Sequence, residues 1–544
     1  MRKFFVTNGL LLLLSISHAA TTGKLDDDTI VQLREGKIRG HILKSENGND
    51  YYAFQEIPYA APPVGENRLQ LPKKVQPWNG ILDTTKNTRV CYQNISKYSN
   101  LEIKEDCLYI NVYTPLKPGS DLKKLPVLVW IHGGGYFAES STYEYYGPKY
   151  IMDQGVVVVT FNYRLGPFGF ATTDDSVIPA NIGLKDQRFA LEWVNENIQL
   201  FAGDPTQVTI VGESAGSFSV GLHVLGQLNN EKELFRAAIM QSGSPTGGII
   251  QENPRESAFN CGRILDKNFA SNETSDLLKI LQGAPADSFL QACSEASGTV
   301  IEEEGPFSYA PLQSYMDGNF KKVPILMGFN SEEYIWSGID PDIPVMAELD
   351  NNPEKVVPDL IHMSPENRKI AGQRLRKVYT KTSFQKDITA YCRWTSDNRM
   401  ITPICKQAEL IASEVPVYLY QFSYYGKLGQ GPTDIVPGAG RVAHAEDLHY
   451  MWDDGSNSDL SKFPEEDGLT LHRFVKMWTN FVKYLNPTPE KDPLLNNVTW
   501  PTTNSETLLY LNFNDTLEVR ENPRQFRDVK VILDSYMEPP YDYY

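Results

Sequence analysis

The stretch Val208-Thr-Ile-Val-Gly-Glu-Ser-Ala-Gly-Ser-Phe-Ser-Val220 limits what this chain can fold into more than any other. β-favouring residues lead into Gly212-Glu213-Ser214-Ala215-Gly216, and small residues able to start a helix follow. Glycines two before and two after the serine leave room for a sharp strand-to-helix turn, which lifts the hydroxyl clear of the backbone in a strained conformation. A hydroxyl held there can be reached by a base and by a carbonyl carbon.

The rest of the chain alternates apolar runs with helical stretches. Thr29 to Gly40 and Tyr51 to Ile57 read as short antiparallel strands, the first segment broken at Glu35-Gly36. Buried strands are expected at Leu108 to Tyr113, Leu125 to Ile131, Gly155 to Tyr163, Val208 to Val211, Val323 to Met327, Val415 to Tyr424 and Leu508 to Phe513. Helix-like segments such as Asn181 to Phe201 and Leu469 to Leu485 lie between them. This pattern predicts an α/β fold: a large, mostly parallel central sheet with helices on both faces and an antiparallel N-terminal edge. With 41% hydrophobic residues a large core is available. Neither a repeat nor a Gly/Ser/Pro linker divides the chain, so 20–544 is expected to form one domain. The regions Ile250 to Tyr309 and Glu354 to Ser413 read as insertions that could roof the site.

Arg2 and Lys3 precede an apolar run from Phe4 to Ile16 and the small residues Ser17-His18-Ala19-Ala20, the form of a cleaved secretory signal ending at Ala19. The run is interrupted by Thr7-Asn8-Gly9 and is too short to span a bilayer, so stable membrane insertion is not expected. The formal charge of −17 would repel nucleic acid and anionic lipid.

In a secreted chain the six cysteines are expected to pair. Spacing offers Cys91 with Cys107 and Cys392 with Cys405, leaving Cys261 with Cys293, although fifteen connectivities are formally open. No C-x-x-C or neighbouring Cys/His pair suggests a metal site. Asn94, Asn272, Asn497 and Asn514 each begin a glycosylation sequon.

Upstream of the serine turn, the strand Leu125 to Ile131 runs into His132-Gly133-Gly134-Gly135. Backbone N–H groups of Gly134 and Gly135, with that of Ala215 after the serine, are placed to hold a tetrahedral oxyanion. A serine needs a base, and the base needs a carboxylate to hold its tautomer. In this type of fold they follow in the order Ser, acid, His. His444 comes after the glycine-containing loop Pro437 to Ala443, and His449, five residues on, is the competing base. His472 lies in an amphipathic run and His362 in an insertion, which argues against both. The strand Val323 to Met327 ends in Gly328-Phe-Asn-Ser-Glu-Glu333, where spacing alone does not separate Glu332 from Glu333. Glu213 either adds a carboxylate near the site or only anchors the turn.

The chain resembles a type-B carboxylesterase of the cholinesterase-like α/β-hydrolase family. The motifs are Gly212 to Gly216, His132 to Gly135, Glu105-Asp-Cys-Leu-Tyr-Ile-Asn111, Asn162-Tyr-Arg-Leu-Gly166, Gly183-Leu-Lys-Asp-Gln-Arg188, Gln241-Ser-Gly-Ser244 and Gly328 to Glu333. His444-Ala-Glu-Asp-Leu448 is similar to insect members, including juvenile-hormone and antennal odorant-degrading esterases. The resemblance selects Glu333 as the acid and Cys91–Cys107 as the family's first disulfide loop. That loop lacks the tryptophan with which cholinesterases meet a quaternary ammonium, so acetylcholine is not the expected substrate. Cys405 is similar to a family cysteine whose usual partner, near the C-terminus, is absent, and Cys392 would supply one. Juvenile-hormone esterases commonly carry Gln where this chain has Glu213, which weakens the hormone reading.

The resemblance thus implies a secreted serine hydrolase with Ser214, His444 and Glu333 as its triad, acting without cofactor or metal on small hydrophobic esters. Juvenile hormone is the alternative substrate. Relatives of this fold that have lost the triad serve as adhesion or binding proteins, but here all three triad positions and the glycine loop are present.

Overall fold

A computed structural model describes residues 27–94, 101–120, 123–226, 233–296, 298–302 and 304–544. The predicted signal segment 1–19 lies outside the described residues.

Eleven strands form one sheet: β1 (His41–Lys44), β2 (Asp50–Pro58), β3 (Tyr109–Thr114), β4 (Leu125–Ile131), β5 (Val157–Phe161), β6 (Gly203–Glu213), β7 (Ala237–Gln241), β8 (Ile325–Asn330), β9 (Val417–Phe422), β10 (Tyr510–Phe513) and β11 (Leu517–Arg520). Their spatial order is β11-β10-β9-β8-β7-β6-β4-β5-β3-β2-β1. Every pairing from β5 through β4 and β6 to β10 is parallel. The pairs β1–β2, β2–β3, β3–β5 and β10–β11 are antiparallel. The predicted antiparallel N-terminal edge is therefore present, and the C-terminal edge ends in an antiparallel strand as well. The break at Glu35-Gly36 is the turn of a separate hairpin, Ile30–Gln32 against Lys37–Arg39.

The apolar runs of the central strands follow from burial on both faces. In β4, Val127, Val129 and Ile131 join one core while Leu128 and Trp130 join the other. Helices α1 (Ile182–Asn197) and α2 (Ala215–Gly226) cover the first face, contributing Leu184, Leu191, Val194, Phe218 and Val224. Helix α3 (Glu465–Tyr484) covers the second with Leu471, Phe474, Trp478 and Phe481. No helix among the described residues is long and apolar enough to cross a membrane.

Cys91–Cys107 and Cys261–Cys293 are bonded, with Cα atoms 4.9 Å and 5.1 Å apart. The expected Cys392–Cys405 bridge is not formed; both thiols are free and buried. The two residues lie on the successive helical segments Ile388–Ser396 and Thr402–Ile411, joined by the π-helical turn Asp397–Ile401. Thirteen residues of such helix span about 20 Å, whereas a disulfide needs Cα atoms within about 7 Å. Cys392 packs beside Ile335 and Val436, and Cys405 sits in the main core. Close sequence spacing misled because helix formation carries the two thiols apart. Asn94, Asn272 and Asn497 are exposed and Asn514 is half-buried.

Candidate active site

Glu213 is the last residue of the central strand β6, and α2 begins at Ala215, so Ser214 occupies the turn between them. Its φ of +53° is left-handed, a conformation that costs a residue with a Cβ about 1 kcal/mol or more. Neighbouring bonds hold it there: Ser214 N–H donates to Gln241 O (2.9 Å), and Phe218 N–H donates to Ser214 O (3.0 Å). A Cβ on Gly216 would lie 2.0 Å from Ile131 O, so only glycine lets the helix start this close to β4.

The glycine loop continues from β4 beside this turn. The Tyr163 ring stacks on His132, with centroids 4.4 Å apart, and its hydroxyl donates to His132 O (2.9 Å). Phe137 and Ala138 N–H groups both donate to Gly134 O, at 3.0 and 2.9 Å. Gly134 has φ +88°, and a Cβ there would lie 2.3 Å from Ala138 O. Among the described residues, neither the Gly134 nor the Gly135 N–H has a hydrogen-bond acceptor. Two backbone donors are thus left open on a pinned loop.

Glu333 follows β8 and is fully buried. Its Oε1 accepts from Ser242 Oγ (2.6 Å) and Asn330 N–H (2.6 Å), while its Oε2 accepts from His444 Nδ1 (2.6 Å). A carboxylate only accepts, so the Nδ1 proton is fixed and the other ring nitrogen, Nε2, is left to face the site. That nitrogen lies 3.2 Å from Glu213 Oε1. No hydrogen bond joins Ser214 Oγ to His444 among the described residues, although both line one cavity.

The two glutamates that spacing could not separate have different surroundings. Glu332 Oε1 accepts from Gly440 N–H (2.9 Å), and Oε2 lies 3.3 Å from Arg524, whose Nε is 2.7 Å from Asp397. His449 is likewise distinguished from His444. Its Nδ1 donates to Asp454 Oδ2 (2.8 Å), in its own loop, and among the described residues no hydrogen bond or ion pair joins it to Glu333.

Burial pushes the Glu213 carboxyl up to about 8, against the pull of His444. Burial pulls His444 down, but the Glu213 and Glu333 carboxylates outweigh it and hold the imidazole up at about 9. Glu213, Glu333 and His444 lie close enough together that the charge on each acts on the others.

The cavity over Ser214 has a volume of about 640 Å³. Its walls include Phe137, Tyr145, Tyr146, Leu448, His449 and Asp454; apart from Glu213 and Ser214, every lining residue comes from the segments 134–146 and 430–456. The regions 250–309 and 354–413, expected as a roof, contribute no lining residue among those described. They pack instead as helices such as Pro254–Leu265 and Pro365–Tyr379.

Sequence reasoning missed a layer of support. Asp447 is fully buried and accepts from Gln241 Nε2 (2.8 Å), Asn330 Nδ2 (3.2 Å) and the Tyr420 hydroxyl (3.0 Å). Gln241 ends β7 and Ser242 follows it, and the strand Ala237-Ala-Ile-Met-Gln241 lacks the β-branched density that marked the other strands. The only signal was the motif Gln241 to Ser244, which had no assigned role. No cluster of three His, Cys, Asp or Glu side chains among the described residues is arranged to hold a metal ion.

Comparison with known proteins matches residues 27–529 to the model of the Carboxylesterase family. The chain is similar to juvenile hormone esterase of Tribolium castaneum, 32% identical over 525 residues covering 88% of this chain and 86% of that protein. It is also similar to a carboxylic ester hydrolase of Bombus ignitus, 30% identical over 521 residues (89% of this chain, 90% of that one). Acetylcholinesterase 1 of Caenorhabditis briggsae is 28% identical over 534 residues (89% and 83%). With nearly the whole α/β frame and both glycine-bearing turns inside the matched span, the chain belongs to the carboxylesterase family.

Proposed function

We propose that this esterase cleaves carboxylic esters through an acyl-enzyme on Ser214. His444 Nε2 takes the hydroxyl proton as Oγ attacks the ester carbonyl, and Glu333 stabilises the imidazolium. The N–H groups of Gly134, Gly135 and Ala215 hold the developing oxyanion. The tetrahedral intermediate collapses, His444 protonates the departing alcohol, and a water deprotonated by His444 then releases the acid and restores Ser214. The hydrogen bond between Ser214 and His444 forms in the substrate complex, as such contacts commonly tighten on binding. The observation that carries this reading is the 2.6 Å bond from His444 to Glu333 beside a left-handed serine and two open backbone donors.

The substrates we infer are small hydrophobic esters, including odorant, pheromone or xenobiotic esters, because Phe137, Tyr145, Tyr146 and Leu448 offer apolar wall. Juvenile hormone is the second reading, supported by likeness to the Tribolium castaneum enzyme. Export to the extracellular space is supported by the two bonded cysteine pairs and by exposed sequons.

Fluorophosphonate labelling tests the chemistry: adduct on Ser214 and hydrolysis of p-nitrophenyl acetate are expected, both absent in S214A. Unlabelled, inactive folded protein would sink the reading. Acetate esters, longer acyl esters and juvenile hormone assayed side by side decide the substrate.

A further inference from the structure

The loop after His444 builds a second histidine–carboxylate pair into the wall of the same cavity. His449 Nδ1 donates to Asp454 Oδ2 at 2.8 Å. Asp454 is held in place by Ser456, whose N–H (2.9 Å) and Oγ (2.6 Å) both donate to its Oδ1, and by Gln430 Nε2, which donates to Oδ2 at 3.2 Å. A further tie fixes the backbone: Asn457 Nδ2 donates to His449 O at 3.0 Å. The ring is therefore oriented by a carboxylate that is itself fixed, the arrangement that sets a histidine's tautomer.

With Nδ1 committed to Asp454, Nε2 is the free face of the ring, and it has no hydrogen-bond partner among the described residues. The ring is half-buried and lines the cavity together with Ser214. Ser214 is buried at its floor, while Gln430 and Ser456 are exposed at its rim. His449 is thus intermediate in burial between the serine and those two residues. Two aromatic residues, Phe137 and Tyr145, line the same cavity.

We propose that His449, oriented by Asp454, is a polar subsite that selects esters carrying a hydroxyl group remote from the scissile carbonyl. This deepens, and rests on, the ester-hydrolase reading of Ser214. The choice of a hydroxyl follows from the ring's two states. A neutral imidazole with its proton on Nδ1 accepts at Nε2, whereas the imidazolium donates there. A hydroxyl can serve either state, an ether or ketone only the second, and an alkylammonium only the first. A carboxylate would face Asp454 and Glu139 in the same cavity and is disfavoured by like charge. The pair does not duplicate the reaction machinery, since the bond to Glu333 is made by His444.

The experiment compares kcat/KM for matched esters: p-nitrophenyl hexanoate against its ω-hydroxy counterpart, and hexyl acetate against its ω-hydroxy counterpart. The two pairs place the hydroxyl on the acyl and on the alcohol side. In His449→Phe the hydroxy-over-plain ratio is expected to fall about tenfold in at least one pair, the factor a hydrogen bond of ordinary strength supplies. His449→Gln, which keeps a hydrogen-bonding tip, should restore part of that ratio. Equilibrium binding of the same esters to S214A and to S214A/H449F by calorimetry reads the same preference without turnover. Ratios unaltered by His449→Phe in both pairs, in turnover and in binding, would overturn the proposal. Failure of the wild type to hydrolyse any of the four esters, with the binding preference intact, would instead count against Ser214 chemistry alone.

Discussion

Oε1 of Glu213 lies 3.2 Å from Nε2 of His444, the nitrogen opposite the one bonded to Glu333. The imidazole is therefore flanked by carboxyl groups at both ends. A neighbouring negative charge favours the cation, and a base must be neutral to take the Ser214 proton. The direction follows from those two statements. Glu213→Gln removes one of the charges that hold His444 up at about 9, so the imidazole loses its proton at lower pH. The acid limb of the kcat/KM profile should move down by about one pH unit or more. Profiles recorded from pH 5 to 10 on both proteins check this; a limb that stays put or moves up would show that Glu213 does not act on His444.

The paired glutamates after β8 should fail in opposite ways. Glu333→Gln leaves His444 without a carboxylate at Nδ1, and kcat should drop by about 10³–10⁴ with little change in melting temperature. Glu332→Gln keeps an acceptor for Gly440 N–H but removes the charge facing Arg524, which retains Asp397. Loss of a buried ionic partner costs about 3 kcal/mol. Thermal melts should therefore shift down in this variant while kcat stays close to wild type. The reverse pattern would reassign the acid.

Much of this was legible in the sequence, and the gaps have physical reasons. The parallel strands announced themselves because burial on both faces demands unbroken apolar runs, as in Leu125 to Ile131. The strand β7 did not: its alanines and methionine suit helix or strand equally, and only its place between β6 and β8 decides. Ser214 and the glycine loop were legible because a left-handed turn, and a backbone approach that would put a Gly216 Cβ 2.0 Å from Ile131 O, restrict the residue types that fit. Asp447 was not, since nothing local separates a buried, triply bonded aspartate from an exposed one. The cavity walls depend on which loops fold over the sheet edge, a long-range matter that put 430–456 where 250–309 had been expected.

Cysteine chemistry gives a direct count. Denatured, unreduced protein treated with iodoacetamide should gain two alkyl groups, on Cys392 and Cys405, because these thiols are separated by a helix and lie in different apolar clusters. Reduction should then expose Cys91, Cys107, Cys261 and Cys293. Peptide mapping that finds Cys392 joined to Cys405 would mean that the helical segments between them are not formed as described.

Glycine at position 216 is required for a reason that can be isolated from helix propensity. Alanine there would bring its Cβ to 2.0 Å from Ile131 O and 2.9 Å from His132 O, both backbone atoms of the strand end that carries the glycine loop. Neither can give way without moving that loop or the start of α2. Gly216→Ala should cost about 3 kcal/mol or more, at the upper end of what overpacking a core costs, and should weaken Ser214 labelling in whatever folds. Gly468 is the control: it sits in α3, and a Cβ there meets nothing within 4 Å. Gly468→Ala gains helix propensity alone and should stabilise by about 0.5–1 kcal/mol. Urea melts of the two variants beside wild type, read by tryptophan fluorescence, should move in opposite directions. If Gly216→Ala melts with wild type, the strand-to-helix turn is looser than a 2.0 Å approach allows, and Ser214 is not held in its left-handed conformation by packing.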